Sequence, residues 1–133
     1  NRWCKGAPGI ALGRLSMREV CDSPLLREEI SNGLATTRAL PLSETDDLCC
    51  GNAGRVDVLV QAYRELGDRA CLRAARRLAD GMLERARENG WYCLKLRGEI
   101  ILDLRLFSGL AGVGYALLRL ATTGGLPCVL AME

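Results

Sequence analysis

Apolar residues recur along this chain at helical spacing, and the pattern predicts five helices. Ile10, Leu12, Leu15, Met17 and Val20 place a first helix over 9–20. Ser23-Pro24 supplies an N-cap followed by a proline at the first helical position. The helix it opens runs to about Leu40, with Leu26, Ile30, Leu34 and Thr37 on one face, and Pro41 stops it. Val56, Leu59, Val60, Tyr63 and Leu66 predict an amphipathic helix over 53–66, ended by Gly67. Asp68 caps the next, whose inner side carries Leu72, Ala75, Leu78, Ala79, Met82, Leu83 and Ala86 and which stops at Gly90. Its other side holds Arg73, Arg76, Arg77, Arg85 and Arg87 among Glu84 and Glu88, the spacing of a solvated face. Trp91–Leu96 and Glu99–Leu104 flank Arg97-Gly98 and predict a short β-hairpin. Residues 109–121 are apolar almost all round, broken only by Arg119, which predicts a helix buried on most sides. The tail after Gly124-Gly125 carries no pattern.

A repeat underlies the helices. Gly6/Gly9, Gly51/Gly54 and Gly109/Gly112 each open an apolar segment, 45 and then 58 residues apart. Each interval holds an amphipathic helix and a loop. Intervals of this size, filled by a helix pair, predict a stacked or toroidal all-α array. Glycine at both turn positions lets the inner helix N-termini approach something shared at the centre, and their dipoles favour an anionic group there. The blander reading is that these glycines serve tight helix packing alone.

Composition narrows the function classes. The chain has 133 residues, 49% hydrophobic and 26% charged, with a mean hydropathy of +0.06; this is one modest domain rich in helix formers. A net charge of +2 argues against nucleic acid as a partner, and no apolar run reaches the roughly 20 residues that cross a bilayer. Asn1 is not a methionine and lies three residues before Cys4. Because termini fray, a functional residue there leads to the expectation that residues 1–133 are the C-terminal portion of a longer chain.

Seven cysteines stand beside no histidine. An odd count within helical patterns suits a reducing cytoplasm better than a disulfide scaffold. Cys21, Cys71, Cys93 and Cys128 read as small buried hydrophobes. Cys4, Cys49 and Cys50 differ, because they directly precede the repeated glycines: Trp3-Cys4-Lys5-Gly6-Ala7-Pro8-Gly9 and Leu48-Cys49-Cys50-Gly51-Asn52-Ala53-Gly54. Offsets of two and one residues from equivalent glycines bring the three sulfurs toward one centre, where they form a candidate zinc triad with a fourth position open. Three thiolates on Zn²⁺ total −1, a poor charge for polarising carbonyls and a good one for holding a further nucleophilic thiolate. The third phrase, Phe107-Ser108-Gly109, needs no thiol under this reading. Cys49-Cys50 is not a zinc-finger spacing, and packing or a redox pair remain open readings of the same residues. Lys5 is either a solvated lysine or a neighbour with a role in charge balance or proton donation.

Trp3-Cys4-x-Gly-Ala-Pro-Gly-Ile10, the Leu48–Gly54 phrase, and Leu106-Phe107-x-Gly109-Leu-Ala-Gly112-Val-Gly-Tyr115-x-Leu-Leu-Arg119-Leu120 resemble the lanthipeptide synthetase cyclase (LanC-like) family. The likeness spans nearly the whole chain and is strongest to the cyclase domain of the class II, bifunctional (LanM-type) enzymes. It implies an α/α toroid of inner and outer helices, here partial, with zinc on Cys4, Cys49 and Cys50; a Cys at position 50, where many relatives carry His, resembles the three-cysteine subgroup. The implied reaction joins a precursor-peptide cysteine to dehydroalanine or dehydrobutyrine as a lanthionine or methyllanthionine thioether in the bacterial cytoplasm. The family's His and Asp for proton transfer are expected upstream of Asn1, as is a dehydratase domain, so residues 1–133 alone are expected to be inactive. Two alternatives remain: a relative of the eukaryotic glutathione-binding cyclase-like proteins, against which Cys50 and Ala7-Pro8-Gly9 argue, and a non-catalytic α-toroid peptide- or glutathione-binding module with a structural thiol site.

Overall fold

A computed structural model describes residues 2–96, 99–100, 102–123 and 125–132, with the backbone alone for 95, 96, 99 and 100. Five helices form: α1 (Ala7–Met17), α2 (Pro24–Ala39), α3 (Asn52–Leu66), α4 (Arg69–Asn89) and α5 (Leu110–Ala121). Strands β1 (Lys95–Leu96) and β2 (Glu99–Ile100) pair antiparallel, Lys95 opposite Ile100. The predicted hairpin is therefore present but far shorter than its flanks suggested, and its turn, Arg97-Gly98, lies outside the described residues.

The helices stack in two layers. α3 packs against α1 on one side and α5 on the other, while α2 and α4 cover this row from behind. The covering helices match their patterns. Ser23 accepts from the Leu26 N–H at 3.2 Å to start α2, and Asp68 accepts from the Ala70 N–H at 2.8 Å to start α4. Leu26, Ile30, Leu34 and Thr37 are buried on α2, as are Leu72, Ala75, Leu78, Ala79 and Met82 on α4. Gly67 and Gly90 end α3 and α4 with φ of 67° and 82°, the left-handed conformation that favours glycine at helix ends.

The inner row departs from the pattern. α3 is not amphipathic in its setting: every residue from Asn52 to Ala62 is buried, because helices flank it on all sides. Val56, Val58 and Val60 are mediocre helix formers, but burying each contributes about 1.5–3 kcal/mol and outweighs a deficit of under about 1 kcal/mol. α5 reverses its expectation. Leu110 and Leu118 are exposed, while Arg119, read as the break in its apolar surface, is fully buried. Arg119 pairs with buried Asp57 of α3 and bonds Gln61 Oε1 at 2.6 Å and the Leu126 carbonyl at 3.1 Å. A buried charge is tolerated because it is paired and its donors are used. The tail is also structural: Cys128 and Leu130 are buried, and Tyr115 donates to the Pro127 carbonyl at 2.8 Å. α1 ends at Met17, so Val20, 91% exposed, lies beyond the helix. Cys71 and Cys128 are buried as expected, and burial first of all pushes their thiols up to about 11 and about 12. Cys21 is exposed and Cys93 half-buried, against the packing role read for them, because both lie in loops.

Candidate metal centre

The three predicted cysteines meet. Cys4 Sγ and Cys50 Sγ are 3.6 Å apart across 46 residues of chain, and Cys50 Sγ stands 3.6 Å from Cys49 Sγ. All three sulfurs lie within 4.8 Å of one another. They are free thiols, far from the roughly 2.05 Å of a disulfide. A tetrahedral ion with bonds of about 2.3 Å holds its sulfurs about 3.8 Å apart, so this cluster could hold a metal ion. Burial, followed by the thiols of Cys50 and Cys4, pushes Cys49 up to about 12, and burial chiefly raises Cys50 as well. Cys49 and Cys50, half-buried beside each other, resist ionising together unless a cation shares the space.

The repeat builds this meeting point. Gly6, Gly51 and Gly109 are the N-caps of α1, α3 and α5, and none of these helices has a side-chain cap. Cys4, Cys49 and Phe107 stand two residues before these glycines, and Lys5, Cys50 and Ser108 stand one before. A Cβ on Gly9, Gly54 or Gly112 would lie 1.9, 2.1 or 1.9 Å from the carbonyl oxygen of Trp3, Leu48 or Leu106, in each case six residues earlier. The glycines thus admit each turn's own backbone beneath its helix, which corrects the expectation that they open the N-termini to a shared central group. The first N–H groups of α3 are likewise taken, Asn52 by the Thr45 carbonyl at 3.0 Å and Ala53 by that of Asp46 at 3.3 Å.

The Cys49-Cys50 turn is clamped by polar residues of the loop before it and of the helices around it. Asp46, fully buried, accepts from Asn52 Nδ2 and the Cys93 N–H, each at 2.9 Å, and pairs with Arg85 of α4. Arg85 therefore does not belong to the solvated face assigned to it; a buried carboxylate draws it inward. Asn52 also bonds Ser43 twice and Thr45. Arg55, buried on α3, donates to the carbonyls of Leu40 at 2.6 Å and Pro41 at 2.7 Å, anchoring the chain where it leaves α2. Asp47, also buried, accepts from the Cys50 N–H at 2.6 Å. The signal available for these residues was their place in and around the repeated phrase, Asn52 within it and Asp46 and Asp47 just before it.

The Cys4 side is open. Cys4 and Lys5 are exposed, and a groove of about 680 Å³ runs from them along α1, past Gly9, Ile10 and Gly13 to Leu130. Trp3 stacks on Phe107 with centroids 6.4 Å apart, and the Phe107 carbonyl accepts from the Cys49 N–H at 2.8 Å, so the third turn buttresses the second. A groove of about 400 Å³ between Arg18, Arg27, Arg38 and Asp68 contains none of the three cysteines.

Paired helix layers joined by three glycine-capped turns, with thiols gathered at two of them, define an all-α repeat protein with a thiol centre. The sequence matches the family described as lanthionine synthetase C-like protein over residues 1–131, and the chain belongs to that family. The two layers are accordingly part of an α/α toroid, with α1, α3 and α5 inner and α2 and α4 outer. A search of curated proteins found no match. Among the described residues, no helix is long and apolar enough to cross a membrane.

Proposed function

We propose that this chain carries the thiol-activating centre of a lanthionine and methyllanthionine cyclase, with Cys4, Cys49 and Cys50 holding one zinc ion and a precursor-peptide cysteine taking the fourth position. The observation that supports this most is the spacing of three sulfurs from two distant segments, near that of a tetrahedral thiolate site and open on the Cys4 side. Bound zinc supplies the charge that lets a further thiol ionise near neutral pH. The substrate sulfur then forms a bond to the β-carbon of a dehydroalanine or dehydrobutyrine, the π pair of that residue moves to its α-carbon as an enolate, and a proton returns there. One S–H and one carbon–carbon π bond become one C–S and one C–H bond, without oxidant or leaving group.

In this chain, Asp46, Asn52 and Arg85 hold the Cys49-Cys50 turn, and the groove along α1 gives the peptide a path to the sulfurs. The proton donor belongs to residues preceding Asn1, within a longer protein of which this chain is the C-terminal portion, closest in kind to the class II enzymes. A reducing bacterial cytoplasm completes the reading, since three neighbouring thiols persist as ligands only where they stay reduced.

The test uses that longer protein with a dehydrated precursor, counting alkylatable thiols by mass. Zinc-free protein should leave the thiols unreacted, and one equivalent of zinc should restore their loss. Equal thiol loss with and without metal would contradict the proposal. Stoichiometric zinc without thiol loss would favour a non-catalytic peptide- or glutathione-binding module.

A further inference from the structure

We infer that Asp47 is a positioning residue for the sulfur cluster: by holding the Cys50 main-chain N–H, its carboxylate fixes the turn that presents the Cys50 sulfur to a metal. The inference rests on the reading of the three cysteines as a metal centre and adds to it a residue that touches neither metal nor substrate.

The geometry is specific to one turn. Asp47 Oδ1 accepts from the Cys50 N–H at 2.6 Å, and the Asp47 carbonyl accepts from the Gly51 N–H at 3.0 Å. One buried residue thereby takes both N–H groups that follow Cys49. The other two turns solve the same problem differently. In the first, the Lys5 N–H goes to the Arg2 carbonyl at 3.2 Å. In the third, Asp103 Oδ2 accepts from the Ser108 hydroxyl at 2.7 Å, through a side chain rather than the main chain. Among the described residues, only the turn that brings two sulfurs closes the N–H of its last residue before the glycine onto a carboxylate.

With the Cys50 backbone held in this way, its Sγ has χ1 as the remaining freedom, and it must stand 3.6 Å from both Cys4 Sγ and Cys49 Sγ. Without the bond, the turn relaxes and metal binding must reorder it, so the cost falls on affinity. The acceptor matters here rather than its charge, which separates this role from a general effect of negative potential beside the sulfurs.

The experiment is zinc competition on the intact protein with the substitutions Asp47→Ala and Asp47→Asn, alongside cobalt substitution read by the thiolate-to-metal charge-transfer band. Asp47→Ala is expected to weaken zinc by roughly 10–100-fold, the range found when partners of metal ligands are removed, while Asp47→Asn, which keeps an acceptor of the same shape, stays within about threefold. Should the alanine variant not fold, the asparagine variant carries the test: its cobalt band is expected to keep its position and intensity. Unchanged affinity in Asp47→Ala, or Asp47→Asn as weak as alanine or without the cobalt band, overturns the inference. Failure of the unsubstituted protein to bind zinc would sink the metal reading and this inference with it; normal binding there, with an indifferent alanine variant, sinks the inference alone.

Discussion

The turns before α1 and α3 follow one phrase and are built to opposite standards. Arg2–Gly6 is exposed at Arg2, Cys4 and Lys5 and closes on one main-chain bond from Lys5 to Arg2. Thr45–Gly51 is buried at Asp46, Asp47 and Leu48 and is tied to α3, α4 and the Cys93 loop by Asn52, Arg85 and Asp46. The difference teaches where order is invested. Two sulfurs sit on a turn tied into the core, and the third sits on an exposed turn, on the side where the groove opens. On the proposed reading of the three cysteines, Cys49 and Cys50 would define the geometry of the site and Cys4 would complete it on the side of the groove.

The largest test of this contrast is Asp46→Ala. It leaves the Cys93 N–H without its acceptor, removes one of three acceptors of Asn52 Nδ2 and breaks the pair with partly buried Arg85, and should cost about 3 kcal/mol, the low end of the range for a broken buried pair. Arg2→Ala in the exposed turn should stay within about 0.5 kcal/mol. Denaturant midpoints measure both, and equal costs would erase the distinction between the turns. Next comes metal removal. At free zinc of 100 times Kd, chelation should lower stability by about 2.7 kcal/mol. Exchange protection should fall mainly at Trp3–Lys5 and much less at Asp47–Gly51; loss spread evenly over both turns would contradict the account. Smaller still are Gly54→Ala and Gly9→Ala, whose new Cβ atoms would meet the Leu48 and Trp3 carbonyls. Gly54→Ala should cost about 1–3 kcal/mol and Gly9→Ala less, because the exposed turn can shift. Calorimetry with the order reversed would show that the first turn is the stiffer one. The smallest effect belongs to Lys5→Ala, expected within about 0.5 kcal/mol in stability and without change in zinc affinity if Lys5 is a solvated side chain; a clear drop in zinc affinity would make it part of the centre.

Much of this was legible in the chain. α2 and α4 announced themselves because each faces solvent on one side, so apolar spacing and caps coincide. The meeting of Cys4 with Cys49 and Cys50 was legible because all three precede equivalent glycines, and equivalent turns of stacked repeats lie side by side. What escaped shares one cause: a sequence shows that a residue is polar, not whether its partner lies inside. Arg119 looked like a break in an apolar helix and is instead paired with Asp57 between two inner helices. Arg85 shared the spacing of its solvated neighbours until Asp46 drew it in. Ser43-Glu44-Thr45-Asp46-Asp47 reads as a polar approach to the Cys pair, and apart from their place next to the repeated phrase its two buried carboxylates look no different from exposed Glu44.

The account stands on three sulfurs sharing one ion, and X-ray absorption at the zinc edge, on freshly purified and reduced protein without peptide, measures that directly. The predicted spectrum has three sulfur scatterers at about 2.3 Å and one lighter atom completing the tetrahedron. A zinc environment of nitrogen and oxygen alone, or protein that carries no zinc, would contradict it.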